Sequence, residues 1–234
     1  TTFHIPAKGM THQLGDGAAI AATTNISVVS DLRAMDVALG GQGAPIVPIG
    51  ERLLFRGYRY FMNIGGICNI SIHDRKSVMA FDVCPANRVL NMLANLRGKQ
   101  FDKGGKIASA GSVNQALLEK LNNLGYYSLQ GPKSLPNSFG TDTLYPMIMG
   151  YGLSLEDSMA TTCEHIAMQI FKALLPYQIK NRSQILVTGG GAWNAYLVRR
   201  IQYYLDVLGI DVVIPGADTV NYKEALIMAF IAVL

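Results

Sequence analysis

Long hydrophobic runs are missing from this sequence. The one extended apolar stretch, Ala225 to Leu234, has ten residues against the about 20 that a bilayer requires. No membrane-spanning helix is therefore expected. Charge is sparse at 15%, and like charges never run to five, although Lys and Arg outnumber Asp and Glu by 20 to 16. A scattered excess of +4 does not make a nucleic-acid surface. Cysteine is scarce and odd in number: Cys68, Cys84 and Cys163 lie far apart with no CxxC pair. That argues against a disulfide framework and for a reducing, cytoplasmic setting. The four histidines, His4, His12, His73 and His165, fall into no HxxxH or HExxH spacing, so zinc is unsupported and no metal ligand is assigned. Thr1-Thr-Phe-His-Ile has neither a basic start nor an apolar run behind it, unlike a secretory signal. A chain that begins without Met and stops inside an apolar run reads as a piece of something longer.

What is present is half hydrophobic, with 24 glycines in 234 residues, enough for one sizeable domain or two small ones. Residues 11–24 are rich in small side chains and suggest a turn leading into a short helix around Ala18–Ala22. Ile26–Val29 is a short β-branched run read as a strand, and Gly40–Pro45 a flexible or tightly turned segment. Three strand-like runs follow, Tyr58–Ile64, Cys68–His73 and Ser77–Val83, with turns at Gly65-Gly66 and Asp74–Lys76. Short connections predict antiparallel neighbours. Beyond Pro85 the period becomes helical, with Val89, Leu90, Leu93 and Leu96, then Val113, Leu117, Leu121 and Leu124. Pro132–Pro146 reads as a loop. Ser154 with Asp157 resembles a capping box that opens a helix reaching Leu174. Gln184–Val187 is a strand, Trp193–Leu205 a helix, Asp211–Ile214 a strand, and Tyr222 onward a helix. The order describes a mixed α/β domain, not an all-parallel one. The preferred division is a small N-terminal part, 1–55, and a main domain, 56–234.

Candidate chemistry sits at the junctions. Gly65-Gly66 between two strands can bring backbone N–H groups close to a phosphate; an ordinary hairpin turn is the alternative. Gly189-Gly190-Gly191 follows a strand and precedes a helix, a place suited to a nucleotide, but Asn194 stands where a dinucleotide fingerprint needs glycine. Asp82 ends an apolar strand just before a helix start. It can serve as a general base or merely cap the helix. Glu224 opens the last helix, where a carboxylate ordinarily complements the helix dipole. Arg33 and Asp36 can bind a polar ligand or stand as exposed loop charges.

In this order the segments Gln13–Asp16, Val28–Arg33 with Asp36–Pro45, Asn63–Asn69, Phe81–Asn87, Gly131–Ser134, Thr188–Asn194 and Lys223–Ala225 resemble the anhydro-N-acetylmuramic acid kinase family. The likeness runs along the whole chain. It implies a fold of the actin, sugar-kinase and heat-shock ATPase type, with two RNase H-like domains. These would be 1–55 as a remnant of the first domain and 56–234 as the second, its terminal helix returning toward the first. It implies ATP with Mg²⁺, and a reaction in which water opens 1,6-anhydro-N-acetylmuramic acid while O6 is phosphorylated, in peptidoglycan recycling. Asp82 would be the base that takes a proton from that water, and Glu224 a second acid. Arg33, Asp36 and Asn87 would face the sugar. Gly65, Gly66 and Asn69, with Gly189, Gly190, Gly191 and Asn194, would face the nucleotide. A homodimer is implied for the full-length protein. The family's first phosphate loop is not among these residues, and Cys84-Pro-Ala-Asn87 stands where Gly-Pro-Gly-Asn is usual. The 234 residues alone are therefore expected to be inactive. The alternative is an inactive nucleotide-binding or interaction module of the same fold.

Overall fold

A computed structural model describes residues 2–5, 10–13, 15–40, 46–74, 77–129 and 132–234. Parts of the Asp74–Lys76 turn, the Gln13–Asp16 and Gly40–Pro45 segments, and Gly131 lie outside the described residues. The chain divides into two compact units, residues 1–56 with 222–234, and residues 57–221.

The larger unit is built on a five-stranded sheet. Tyr60–Ile64 (β3), Ile67–His73 (β4) and Val78–Pro85 (β5) form the antiparallel meander; Ser183–Thr188 (β6) and Ile210–Val213 (β7) add to it in parallel, giving the order β5-β4-β3-β6-β7. Helices Asn87–Asn95 (α4), Gln115–Asn122 (α5), Tyr145–Met149 (α6), Leu155–Leu174 (α7) and Ala195–Leu205 (α8) complete it. Alternate strand residues divide between the faces of the sheet. Tyr60, Met62 and Ile64 join Val89, Leu93, Leu117, Met159, Ile166, Ile170 and Ile201 in one buried core. The Ser154 hydroxyl accepts from the Asp157 N–H at 3.0 Å and starts α7, as the capping pattern predicts.

The smaller unit holds a two-stranded antiparallel ribbon, Thr2–Ile5 (β1) and Met10–Gln13 (β2), with helices Gly17–Thr24 (α1), Ala34–Ala38 (α2) and Val47–Leu54 (α3). Residues 222–231 of the last helix, Ala217–Ile231 (α9), belong to it as well. Asp16 caps α1 by accepting from Ala19 N–H at 2.8 Å. In α3, Gly50 lies so close to Ile227 of α9 that an added Cβ would stand 2.5 Å from its side chain. Nearby, the buried Lys223 ammonium pairs with the buried Glu51 carboxylate.

Three expectations are corrected. Ile26–Val29 is not a strand: no other strand pairs with it among the described residues, and Ile26 and Val29 are exposed. β-Branched composition favours a strand only where an edge is available to join. Pro132–Pro146 is not loop throughout, because Phe139–Leu144 forms a π-helical turn leading into α6. Pro146 sits in the first turn of α6, where a missing N–H costs nothing. The last helix begins at Ala217, five residues before Tyr222.

Candidate active site

The sheet register gathers the polar strand residues. Asp82 pairs with Asn69, Asn69 with Asn63, and Asn63 with Thr188. Directly paired residues point to the same face, so the four form a polar row across β5, β4, β3 and β6. Tyr60, Met62 and Ile64 of β3 take the opposite face, in the core. Three of the row interrupt apolar strands at alternating positions, the signal by which a sequence could show them. The Thr188 hydroxyl is buried and meets no hydrogen-bond partner among the described residues.

Asp82 does not cap α4. The residue before that helix is Ala86, and no side chain caps it. Instead the Asp82 carboxylate accepts from Leu135 N–H at 2.8 Å, its own N–H donates to the Lys133 carbonyl at 2.9 Å, and its carbonyl accepts from the Tyr126 hydroxyl at 2.6 Å. These bonds lie along the free edge of β5, so the 133–135 segment acts as a clamp on the acid. Burial raises the pKa of Asp82 above the usual aspartate value, against a lowering by the Leu135 hydrogen bond. A carboxylate held this way is a stronger base than an exposed one. Lys133 donates to the carbonyls of Tyr126 and Leu129 at 3.0 and 3.3 Å and lies 4.5 Å over the Tyr126 ring. Neither Tyr126 nor the clamp was legible from periodicity, since hydrogen bonds from an irregular segment to a strand edge leave no repeat.

The two glycine turns are adjacent. Gly65 and Gly66 carbonyls accept from the N–H groups of Asn87 and Ala86 at 3.0 and 2.9 Å, and the Asn87 side-chain nitrogen donates to the Ile64 carbonyl at 2.9 Å. Gly189, at φ +82°, would place an added Cβ 2.5 Å from Asn63 and 2.8 Å from the Ile64 carbonyl oxygen; one on Gly191 would stand 2.2 Å from Ile64. Glycine is thus required here so that the β6 turn can rest on the end of β3. Gly190 faces Asn87, with 3.5 Å from a hypothetical Cβ to its nitrogen. Gly65, Gly66, Asn87, Gly189, Gly190 and Gly191 therefore form one cluster at the ends of β3 and β6. Asn194 is beside it, but its side-chain oxygen accepts from Leu197 N–H at 3.0 Å and caps α8. Asn69, in the polar row, is exposed.

The remaining candidates belong to the smaller unit. Arg33 is half-buried in the turn before α2, Asp36 is exposed in the first turn of α2, and Glu224 is exposed on α9. Of the charged residues of α9 the buried one is the neighbouring Lys223. Among the described residues no three His, Cys, Asp or Glu side chains come together to hold a metal, and no helix is long and apolar enough to cross a membrane.

The model of a family described as anhydro-N-acetylmuramic acid kinase matches residues 1–234. The anhydro-N-acetylmuramic acid kinase of Vibrio parahaemolyticus serotype O3:K6 is 36% identical over 240 residues, covering 99% of this chain and 65% of that protein. That of Pseudomonas fluorescens strain Pf0-1 is 35% identical over 239 residues, covering 99% and 66%. The chain thus spans a little under two thirds of the length of these relatives. Among solved structures, component A of the Acidaminococcus fermentans (R)-2-hydroxyglutaryl-CoA dehydratase aligns with a TM-score of 0.50 at 16% identity, over 91% of this chain and 71% of the other. That likeness speaks to fold alone, the actin, sugar-kinase and heat-shock ATPase type. By the match along its full length, the chain belongs to the anhydro-N-acetylmuramic acid kinase family.

Proposed function

We propose that the protein carrying this chain is an ATP-dependent kinase that opens 1,6-anhydro-N-acetylmuramic acid with water and phosphorylates O6, giving N-acetylmuramate 6-phosphate for peptidoglycan recycling. The observation that carries the reading is Asp82, half-buried, clamped by the 133–135 segment, and in one polar row with Asn69, Asn63 and Thr188. Family membership supplies the substrate class.

The residues present fit a nucleotide. A buried Thr188 hydroxyl without a partner among the described residues lies at the end of β6 beside the Gly189–Gly191 turn, and turns of this kind suit phosphate and ribose oxygens. Gly65, Gly66, Gly189, Gly190 and Gly191 would hold it with Thr188, and Asn87, expected at the sugar, stands in the same cluster. When bound, ATP supplies the phosphoryl group, and a divalent cation would enter with its phosphates. Asn194, whose side-chain oxygen caps α8, would take part through its remaining polar groups.

Asp82 would act on water. Its raised proton affinity suits it to accept a proton as the water oxygen bonds to the anomeric carbon. The C1–O6 bond breaks, and its electron pair stays on O6, which becomes the alcohol oxygen to be phosphorylated. The clamp would keep the carboxylate oriented while this occurs, which is the positional part of the catalysis.

The test is an ATP-dependent assay of sugar phosphate formation in the intact protein that carries these 234 residues. Asp82→Asn, which keeps the shape and the Leu135 contact, is expected to lower kcat by roughly 10²–10⁴. An undiminished rate, or no sugar phosphate from the wild type, would reject the proposal.

A further inference from the structure

A pocket lies on the other side of β5 from the acid. It has a volume of about 140 Å³ and is bounded by Phe81, Lys133, Gln169, Lys172, Pro176 and Tyr177 among others. Its charge is of one sign: two lysines and no carboxylate occur among the described residues that line it. Its apolar part includes Phe81 and Tyr177, whose ring centroids stand 6.4 Å apart.

The polar groups of the wall are largely engaged. The Tyr127 hydroxyl bonds His165 Nε2 at 2.9 Å, His165 Nδ1 bonds the Asn122 side-chain oxygen at 2.7 Å, and Gln169 Nε2 donates to that same oxygen at 2.7 Å. With Asn122 as acceptor, the proton is on Nδ1, and Tyr127 donates to Nε2. Tyr177 donates to Met79 Sδ at 2.8 Å. Lys133 donates to two carbonyls, and of the three N–H groups of an ammonium one remains without an acceptor among the described residues. Lys172 is exposed at the rim. What the lining can offer a ligand is therefore positive charge and apolar surface together. The volume is close to the about 150 Å³ cavity that accepts a benzene ring.

We infer that this pocket binds a small monocarboxylate with an apolar body, its anion between Lys133 and Lys172 and its body against Phe81 and Tyr177. The site is not a dead end in the structure. Lys133 accepts the Asp82 N–H through its carbonyl, and two residues later the Leu135 N–H holds the Asp82 carboxylate. A ligand on the Lys133 ammonium steadies that clamp from behind. Ligand binding here does not rest on the proposed kinase reaction.

The probe is benzoate, with benzyl alcohol as the neutral ring of nearly the same size, each titrated into the full chain by calorimetry and ligand-observed NMR. Hydrogen exchange of the Asp82 and Leu135 amides is followed alongside. Benzoate is expected to bind about tenfold more tightly than benzyl alcohol, and Lys172→Met to remove most of that difference, as loss of one charged hydrogen bond would. Both amides are expected to exchange more slowly with benzoate bound. Equal binding of the two probes, binding unaltered in Lys172→Met, unchanged exchange of both amides, or no binding at all would overturn the inference. None of these readouts depends on kinase activity, so failure of the proposed reaction would leave the result interpretable.

Discussion

At the scale of the residue, Asp82 combines two demands that oppose each other. Burial raises its pKa above the ordinary 3.8, and the Leu135 N–H pulls it back only in part. The folded protein thus favours the protonated acid more than the unfolded chain does. That contribution to stability is fully present below the ordinary pKa and is lost as pH rises through the raised one. At neutral pH the ionised carboxylate is a burden on the fold. Asp82→Asn should therefore leave the melting temperature unchanged or slightly higher at pH 7 while activity collapses, and calorimetry beside the kinase assay checks both. The acid limb of the wild-type rate profile should lie above the pH at which an ordinary aspartate would place it, because the base works only when ionised. A melting temperature that falls sharply in Asp82→Asn would mark the carboxylate as structural.

At the scale of the element, the two glycine turns show what the sequence disclosed and what it withheld. Their places, after β3 and after β6, follow from strand runs ending in Gly65-Gly66 and Gly189–Gly191. Their mutual packing does not, because a glycine string gives no sign of which neighbour it must admit. Gly191→Ala would drive a methyl group into Ile64. It should cost about 1–3 kcal/mol by overpacking, measured by urea unfolding, and weaken nucleotide binding by parting the turns. Unchanged stability would mean that Ile64 moves aside freely. The meander, α4, α5, α7 and α8 were legible because apolar period changes from two to 3.6 along the chain. Ile26–Val29 misled, because composition cannot tell whether another strand is there to pair. The 133–135 clamp was hidden for a related reason: an irregular segment bonded to the edge of β5 carries no period. Within this stretch, Gly131–Ser134 is one of the segments that resemble the family, and nothing in it foretells the bonds to β5.

At the scale of the whole molecule, each unit has its own means of cohesion. In the larger one it is the core shared by the sheet with α4, α5, α7 and α8. In the smaller one a buried ion pair, Glu51 with Lys223, joins α3 to the C-terminal helix. Removing one member of a buried ion pair is costly, so Glu51→Ala should destabilise that unit by about 3–5 kcal/mol. The reading is hydrogen exchange, faster in residues 1–56 and 222–234 than in residues 57–221. Uniform protection in both units would contradict that assignment. Glu224 drew attention because Tyr222 reads as the start of this helix and the family resemblance makes Glu224 a second acid, whereas the helix begins at Ala217; its buried neighbour went unnoticed as a lysine, a residue rarely found inside.

The central step is Asp82 drawing a proton from water that attacks the anomeric carbon. The most direct measurement is turnover of the anhydro sugar by the intact protein in ¹⁸O-labelled water, with mass spectrometry of the product. The account predicts one heavy oxygen on C1, none in the phosphate, and product formation reduced by about 10²–10⁴ in Asp82→Asn. Heavy oxygen in the phosphate, or equal yields from the two proteins, would contradict it.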